Sequence, residues 1–434
     1  SAGPSGEPEA PRSPSESPSP LTGRKPGDRR VRVERPHSQL FRYSAPGVLV
    51  ARDKAHLGRS PGQRTWARTK AVLIGRPLAS EEEASERLSK KKALAIFSSD
   101  AISSSAYATE EIVRVLVVGG VAALLLSVEV ALAVAILLAI VAFSYRQVVY
   151  AYPTGGGSYA VSKQNFGRNA SLVAASALLI DYVLTVSVST SSAVEQISSA
   201  FPPLHGINVL IGVSSIAVIT LGNLRGIREA GNIFAVPTYL FLFSALLMIA
   251  VGVYRIVVLG EGNGYAPEIA NQTSDTLQAV TVLLLVRAFA AGSVALTGTE
   301  AIATGVPAFQ PPESRNAART LMVMAALLGV LFVGITFVAT HFGITHVEVP
   351  SQKTVLAQVA AVVYGDGTIP FYLFQLFTAL ILFLAANTSF NAFPRLAAIL
   401  AQDGFMPRQF AFRGDRLAFS LGIVVLGVVA ASLV

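Results

Sequence analysis

The chain has 434 residues, 52% of them hydrophobic and only 14% charged, with a mean hydropathy of +0.55. Those values exclude an ordinary soluble domain and indicate a polytopic membrane protein. A formal charge of +8 does not signal nucleic acid, because the basic residues lie in the N-terminal tail and in short loops between apolar runs, and the lack of Cys excludes disulfides, thiolate metal sites and cysteine nucleophiles.

Residues 1–65 read as a Pro/Ser-rich cytoplasmic tail without the composition to fold, and no signal-peptide-like apolar stretch follows its early basic residues. Residues 66–93 read as a juxtamembrane segment. Within it Ser80-Glu-Glu-Glu83 fits a capping box, and Lys90-Lys-Lys92 is either a basic flank at a lipid surface or the start of a solvated helix. A transmembrane domain follows over 94–434, with about nine apolar segments near 94–119, 121–145, 170–200, 207–221, 233–258, 279–309, 321–342, 369–400 and 417–434. The last ends inside an apolar run, so the domain is expected to be incomplete at its C-terminal end.

Loop charge alternates. One set carries the tail, Arg146, Lys163, Arg168, Arg225, Arg228, Arg315, Arg319, Arg395, Arg408, Arg413 and Arg416. The other carries Glu261, Glu268, Asp275, Glu348 and Asp366 with few bases. The positive-inside rule therefore places the N-terminus in the cytoplasm.

Two segments have the wrong composition for plain membrane helices. The first holds Phe97-Ser-Ser-Asp100-Ala-Ile-Ser-Ser-Ser-Ala-Tyr107-Ala-Thr-Glu110-Glu111. An Asp at the membrane centre costs roughly 2.5–3.5 kcal/mol on insertion scales, so such residues mark an ion or substrate path. The sixth holds Thr297-Gly298-Thr-Glu300 ahead of Gly305 and Pro307, and Gly298-Thr-Glu-Ala-Ile302 echoes Ala108-Thr-Glu-Glu-Ile112. Corresponding broken helices point to an inverted-repeat transporter with its site at the midplane, where unwound backbone lines a cavity.

Asp100, with Ser103, Ser104, Ser105 and Tyr107, offers hard oxygen ligands suited to a monovalent cation, or else Asp100 caps the next half-helix. In the third segment Asp181, Thr185, Ser189 and Ser192 recur at four, four and three and so share one helix face, as cation ligands or as interhelical hydrogen-bonding groups. Thr297 and Glu300 are expected one helical turn apart, and a carboxyl held in an apolar bundle can take up and release a proton near neutral pH. Glu300 is either that proton carrier or a neutral acid bonding a loose carbonyl at the break. Tyr152-Pro-Thr-Gly-Gly-Gly-Ser-Tyr159 has no Lys-Ser/Thr ending and reads as a tight cytoplasmic turn rather than a phosphate loop. Glu129, Glu195 and Arg287 have open roles, His341 and His346 are too few for a metal site, and Asn387, Asn391 and Pro394 suggest a polar kink in the eighth segment.

Taken together, Ile74-Gly-Arg-Pro-Leu78, the Ser98-Ser-Asp100 to Glu111 run, Tyr152 to Tyr159 and Ala401-Gln-Asp-Gly404 resemble the amino acid–polyamine–organocation (APC) superfamily, and within it the KimA-type potassium importers. The resemblance implies an all-α, LeuT-like five-plus-five inverted repeat with helices one and six broken, here ending in helix nine. It implies proton-coupled potassium import across the plasma membrane, no cofactor beyond the transported K+ and H+, and a homodimer in contact with lipid. It places K+ at Asp100, Tyr107, Asp181, Tyr182, Thr185, Ser189, Thr297 and Glu300, and the coupled proton at Glu300 and Asp181. The rival reading is an amino acid or polyamine permease on the same fold. Ser and Asp at the first break, where a carboxylate-binding site would carry Gly, favour a cation. An intramembrane aspartyl hydrolase built on Asp100 and Asp181 lacks a Gly-x-Gly-Asp-like segment, so no enzymatic activity is expected.

Overall fold

The structure is a computed structural model that describes residues 41–45, 48–51, 88–153, 155, 157–225, 231–262, 280–345, 353–412 and 419–434. The Ser80–Glu83 capping box, the Ile74–Leu78 motif, Thr154, Gly156, Arg228, Glu268, Asp275, His346, Glu348, Arg413 and Arg416 lie outside the described residues.

The chain divides into two units, residues 1–70 and 71–434. In the first, β1 (Phe41–Ala45) pairs antiparallel with β2 (Val48–Ala51). This corrects, for those residues, the expectation that 1–65 is unstructured. Phe41, Tyr43, Val48 and Val50 are good strand formers, a local patch that the composition of the whole tail conceals.

The second unit is a helical bundle. Its elements are α1 (Lys90–Phe97), α2 (Ser99–Leu116), α3 (Gly120–Leu124), α4 (Ser127–Ala151), α5 (Ser158–Asn165), α6 (Arg168–Ala200), α7 (Asn208–Leu224), α8 (Gly231–Val257), α9 (Val282–Gly292), α10 (Ala301–Thr304), α11 (Glu313–His341), α12 (Val355–Tyr364), α13 (Ile369–Gln402) and α14 (Ser420–Ala431). Among the described residues all nine apolar segments are helical, and seven stretches are long and apolar enough to cross a membrane. The other two are α1–α2, whose Ser, Asp and Glu residues lower its hydropathy, and α14, with 12 residues. Large apolar side chains such as Leu132, Ile136, Ile140 and Phe143 of α4 and Val209, Leu210 and Val218 of α7 face outward. That surface suits hydrocarbon, whereas water would penalise it.

The interior is layered by what each helix can bury. One core gathers Ile112, Leu116, Phe241, Met248, Phe332, Ile335, Phe371 and Phe374. A second packs Ala93, Ala101, Leu138, Ile302, Val306, Phe309 and Leu321 around the crossing of the first and sixth segments. A third joins α6 and α13 through Tyr182, Val186, Ala386 and Phe390. α13 runs through Pro394 as one helix, and Asn387 accepts a hydrogen bond from Asn223 of α7 at 2.7 Å.

At one end of the bundle α12 is pinned by several contacts. Glu110 accepts from the Val355 N–H at 3.3 Å, Ser199 from the Thr354 N–H at 3.1 Å, and Tyr364 donates to the Ser244 carbonyl at 2.7 Å. Lys353 pairs with Asp366, and Arg255 with Glu261 at 2.5 Å, so Asp366 and Glu261 each carry a basic partner. At the other end Asp403 accepts from Tyr159 at 2.5 Å and Lys163 at 2.6 Å, tying α5 to the end of α13. The hydrogen bonds from Lys163 and Tyr159 hold the Asp403 carboxyl below its ordinary range, while burial and then Asp403 push Tyr159 up to about 12. A depressed folded-state pKa contributes stability that is fully present above about pH 4 and is lost as pH falls through the folded value. Asp403→Asn is therefore expected to lower the melting temperature in detergent near neutral pH, and the gap to the parent should close as the pH falls below 4.

Candidate functional site

The first and sixth segments cross antiparallel and unusually closely, because small residues fall where they meet. A methyl at Gly292 would lie 2.7 Å from Ile112, and one at Gly305 would lie 2.7 Å from the Phe97 ring. Between them the Ser104 hydroxyl donates to the Ala295 carbonyl at 3.0 Å. Beyond Gly305, Phe309 stacks on Phe97 with ring centroids 5.7 Å apart, and Leu88 exchanges backbone hydrogen bonds with Ala308 and Gln310.

The two interruptions differ in kind. The first is narrower than expected, since α1 and α2 are separated only by Ser98, which keeps right-handed helical angles. Hydrogen bonds from Ser98 to Leu94 and from Ile102 to Ser98 carry the helix across the bend. The Ser/Asp run is thus helical rather than unwound. The physical reason is that Ser99, Ser103, Ser104 and Ser105 donate to carbonyls three residues back, satisfying their hydroxyls without opening the helix. Asp100 sits in the first turn of α2 and is not its N-cap. The sixth segment does open. After α9, residues Ser293–Leu296 tighten into a 3-10 turn, Thr297 is extended, and Gly298 takes a φ of 76° before α10 begins. Thr297 and Glu300 consequently lie on either side of a turn, not along one helix face as their spacing suggested.

At this crossing Gly298 lies directly against Asp100. A methyl there would be 2.8 Å from both the Ala101 nitrogen and the Asp100 carboxyl. Asp100 is 6% exposed and its Oδ1 makes no hydrogen bond among the described residues; Ser189, also without one, is fully buried. α6 is continuous, so Thr185, Ser189 and Ser192 line one buried stripe with half-buried Asp181 at its end. Asp100, Asp181 and Glu300 act on one another electrostatically, and Tyr107 faces Thr297 and Ser189 while feeling Asp100 and Asp181. Tyr182 is buried and interacts electrostatically with all three acids. The eight residues proposed from the sequence thus fall on three elements that converge on one region. Among the described residues no Lys, Arg or His forms an ion pair with these three carboxyls. No group of three His, Cys, Asp or Glu side chains there is tight enough to hold a metal ion. Any cation held at this crossing would be shared among carboxylate, hydroxyl and carbonyl oxygens, the ligand set a large monovalent ion accepts.

Glu110 stands apart, beneath α12, and Glu129, Glu195 and Arg287 are on the surface of the bundle. Tyr145 was not legible from the sequence. A lone Tyr on an apolar helix reads as an interfacial residue, yet here it is half-buried, interacts electrostatically with Glu300 and Asp181, and lies 3.5 Å from Ser158. The glycine loop packs on the sixth segment. Gly155 abuts the Thr304 carbonyl and Pro307, and Gly157 abuts the Thr304 methyl. It acts as a close-packing turn.

Long apolar helices enclosing a buried cluster of acids and hydroxyls define a multi-pass membrane protein. The chain belongs to the amino acid permease family, whose profile matches residues 88–434. It is 46% identical over 360 residues to the potassium transporter KimA of Bacillus subtilis (strain 168), covering 82% of this chain and 58% of that protein. The chain therefore spans less than two thirds of the length of this curated relative.

Proposed function

We propose that the chain forms the transport core of a potassium importer driven by proton symport in the plasma membrane, with its N-terminus in the cytoplasm. The observation that carries this reading is the crossing of α2 with the Thr297–Glu300 turn. Among the described residues three carboxyls act on one another there, beside several hydroxyls and without a paired base, and Asp100 Oδ1 has no hydrogen-bond partner, which leaves it able to accept a cation. Likeness to a potassium transporter supports the choice of ion. K+ is held by Asp100, Tyr107, Asp181, Tyr182, Thr185, Ser189 and Thr297, and Glu300 with Asp181 carries the proton. A homodimer embedded in lipid is part of the same proposal and rests on the resemblance.

The alternative is an amino acid or polyamine permease, which the family name supports. An amino acid carboxylate needs free N–H donors at a broken helix. In this chain the Asp100 carboxyl is packed against Gly298 at that place and would repel it. The test is growth at limiting potassium of a cell without its own importers, expressing the complete open reading frame. Restored growth that a protonophore abolishes supports the proposal. Good membrane expression with labelled amino acid uptake and no restored growth overturns it in favour of the permease.

A further inference from the structure

We infer that Tyr145 and Ser158 form the cation's exit step toward the face that carries the α4–α5 turn, a role that rests on the potassium reading above. Tyr145 belongs to α4, whose inner side packs on α10 immediately after Glu300. Ser158 opens α5 at the end of the glycine loop, which is pressed against Thr304 and Pro307. The turn between these two consecutive helices thus brings two hydroxyls, 13 positions apart, together on one side of the acid cluster. Their oxygens are 3.5 Å apart, longer than the usual 2.7–2.8 Å for a hydroxyl pair. So long a contact is weak, and whichever hydroxyl donates, each oxygen keeps a lone pair for a passing ion.

Exposure rises along the same line. Glu300 is 9% exposed, Tyr145 and Ser158 are half-buried, and Thr304 is exposed. The glycines are what permit the approach, since a methyl at Gly157 would fall 2.4 Å from the Thr304 methyl. An ion leaving Asp181 and Glu300 on this side would trade carboxylate oxygens for the Tyr145 and Ser158 hydroxyls before reaching water. Because the pair lies beyond the acids, it governs release and leaves the initial affinity to the cluster.

The experiment is rubidium uptake by proteoliposomes containing the protein from its complete open reading frame. Parent, Tyr145→Phe, Ser158→Ala and Ser158→Thr are compared over a range of rubidium concentrations. Loss of one hydroxyl contact of about 1 kcal/mol corresponds to roughly a fivefold fall in rate. We expect that fall in the maximal rate of Tyr145→Phe and Ser158→Ala with the half-saturating concentration unchanged, and parent-like rates for Ser158→Thr. A maximal rate of Tyr145→Phe equal to that of the parent overturns the inference, as does an equal loss in Ser158→Thr, which would make the position merely structural. Absence of rubidium uptake by the parent overturns instead the potassium reading on which the inference stands.

Discussion

Asp100→Asn is expected to abolish potassium uptake while leaving the bundle folded. The substitution keeps the side-chain volume and removes the charge, and one amide hydrogen then points where a cation would be held. A hydrogen bond or ligand contact to a charged group contributes about 1.5–3 kcal/mol, so its loss corresponds to roughly a 10–100-fold loss of affinity. The variant strands no partner, because Asp100 makes no ion pair among the described residues. Removing an unpaired buried carboxyl relieves desolvation, so the melting temperature in detergent should be unchanged or higher. This combination separates ion binding from a structural cap. Asn is as good an N-cap as Asp, and a capping role would survive the change with uptake intact. Rubidium uptake and thermal unfolding measured on the same preparation decide between them, with parent-like uptake counting against the cation site.

Much of this site is legible in the sequence for a specific reason. Charged and hydroxylic residues are so expensive in hydrocarbon that their positions along apolar segments stand out, and helical periodicity then assigns Asp181, Thr185, Ser189 and Ser192 to one face. What is not legible depends on contacts between distant segments. Nothing local in Ala401-Gln-Asp-Gly404 says that Asp403 will meet Tyr159 and Lys163, since the partners are more than 200 positions away. Tyr145 is hidden for a related reason, because the acids that act on it, Asp181 and Glu300, come from other segments. Local rules also mislead at the breaks. A run of Ser residues suggests an opened helix, yet hydroxyls bonded three residues back keep α2 closed, and the glycine-marked sixth segment is the one that opens.

That difference gives Gly298→Ala a large expected effect. Gly298 has a φ of 76°, which an L-residue adopts at a cost of about 1 kcal/mol or more. The added methyl has no room, lying 2.8 Å from the backbone nitrogen of Ala101 and from the Asp100 carboxyl. Neither neighbour is the free end of a flexible side chain. The Ala101 nitrogen belongs to the first turn of α2, and the carboxyl is the group argued to hold the ion. Relief therefore requires the sixth segment to move away from α2, which would also stretch the Ser104 contact to the Ala295 carbonyl, now 3.0 Å. Overpacking of this kind typically costs about 1–3 kcal/mol, so a melting temperature a few degrees lower is expected from a bundle that still assembles. Transport should suffer more than stability, because displaced ligands lose the ion while the outer helices remain packed. A fall in uptake of at least tenfold with a folded, monodisperse protein is the expected result, a loss of about 1.4 kcal/mol or more. Gly305→Ala is the matched control, since it too crowds the first segment, at the Phe97 ring, but away from the carboxyls. If both variants lose uptake equally, close packing of the two segments explains the effect; if Gly298→Ala alone does, the glycine serves the ion site itself.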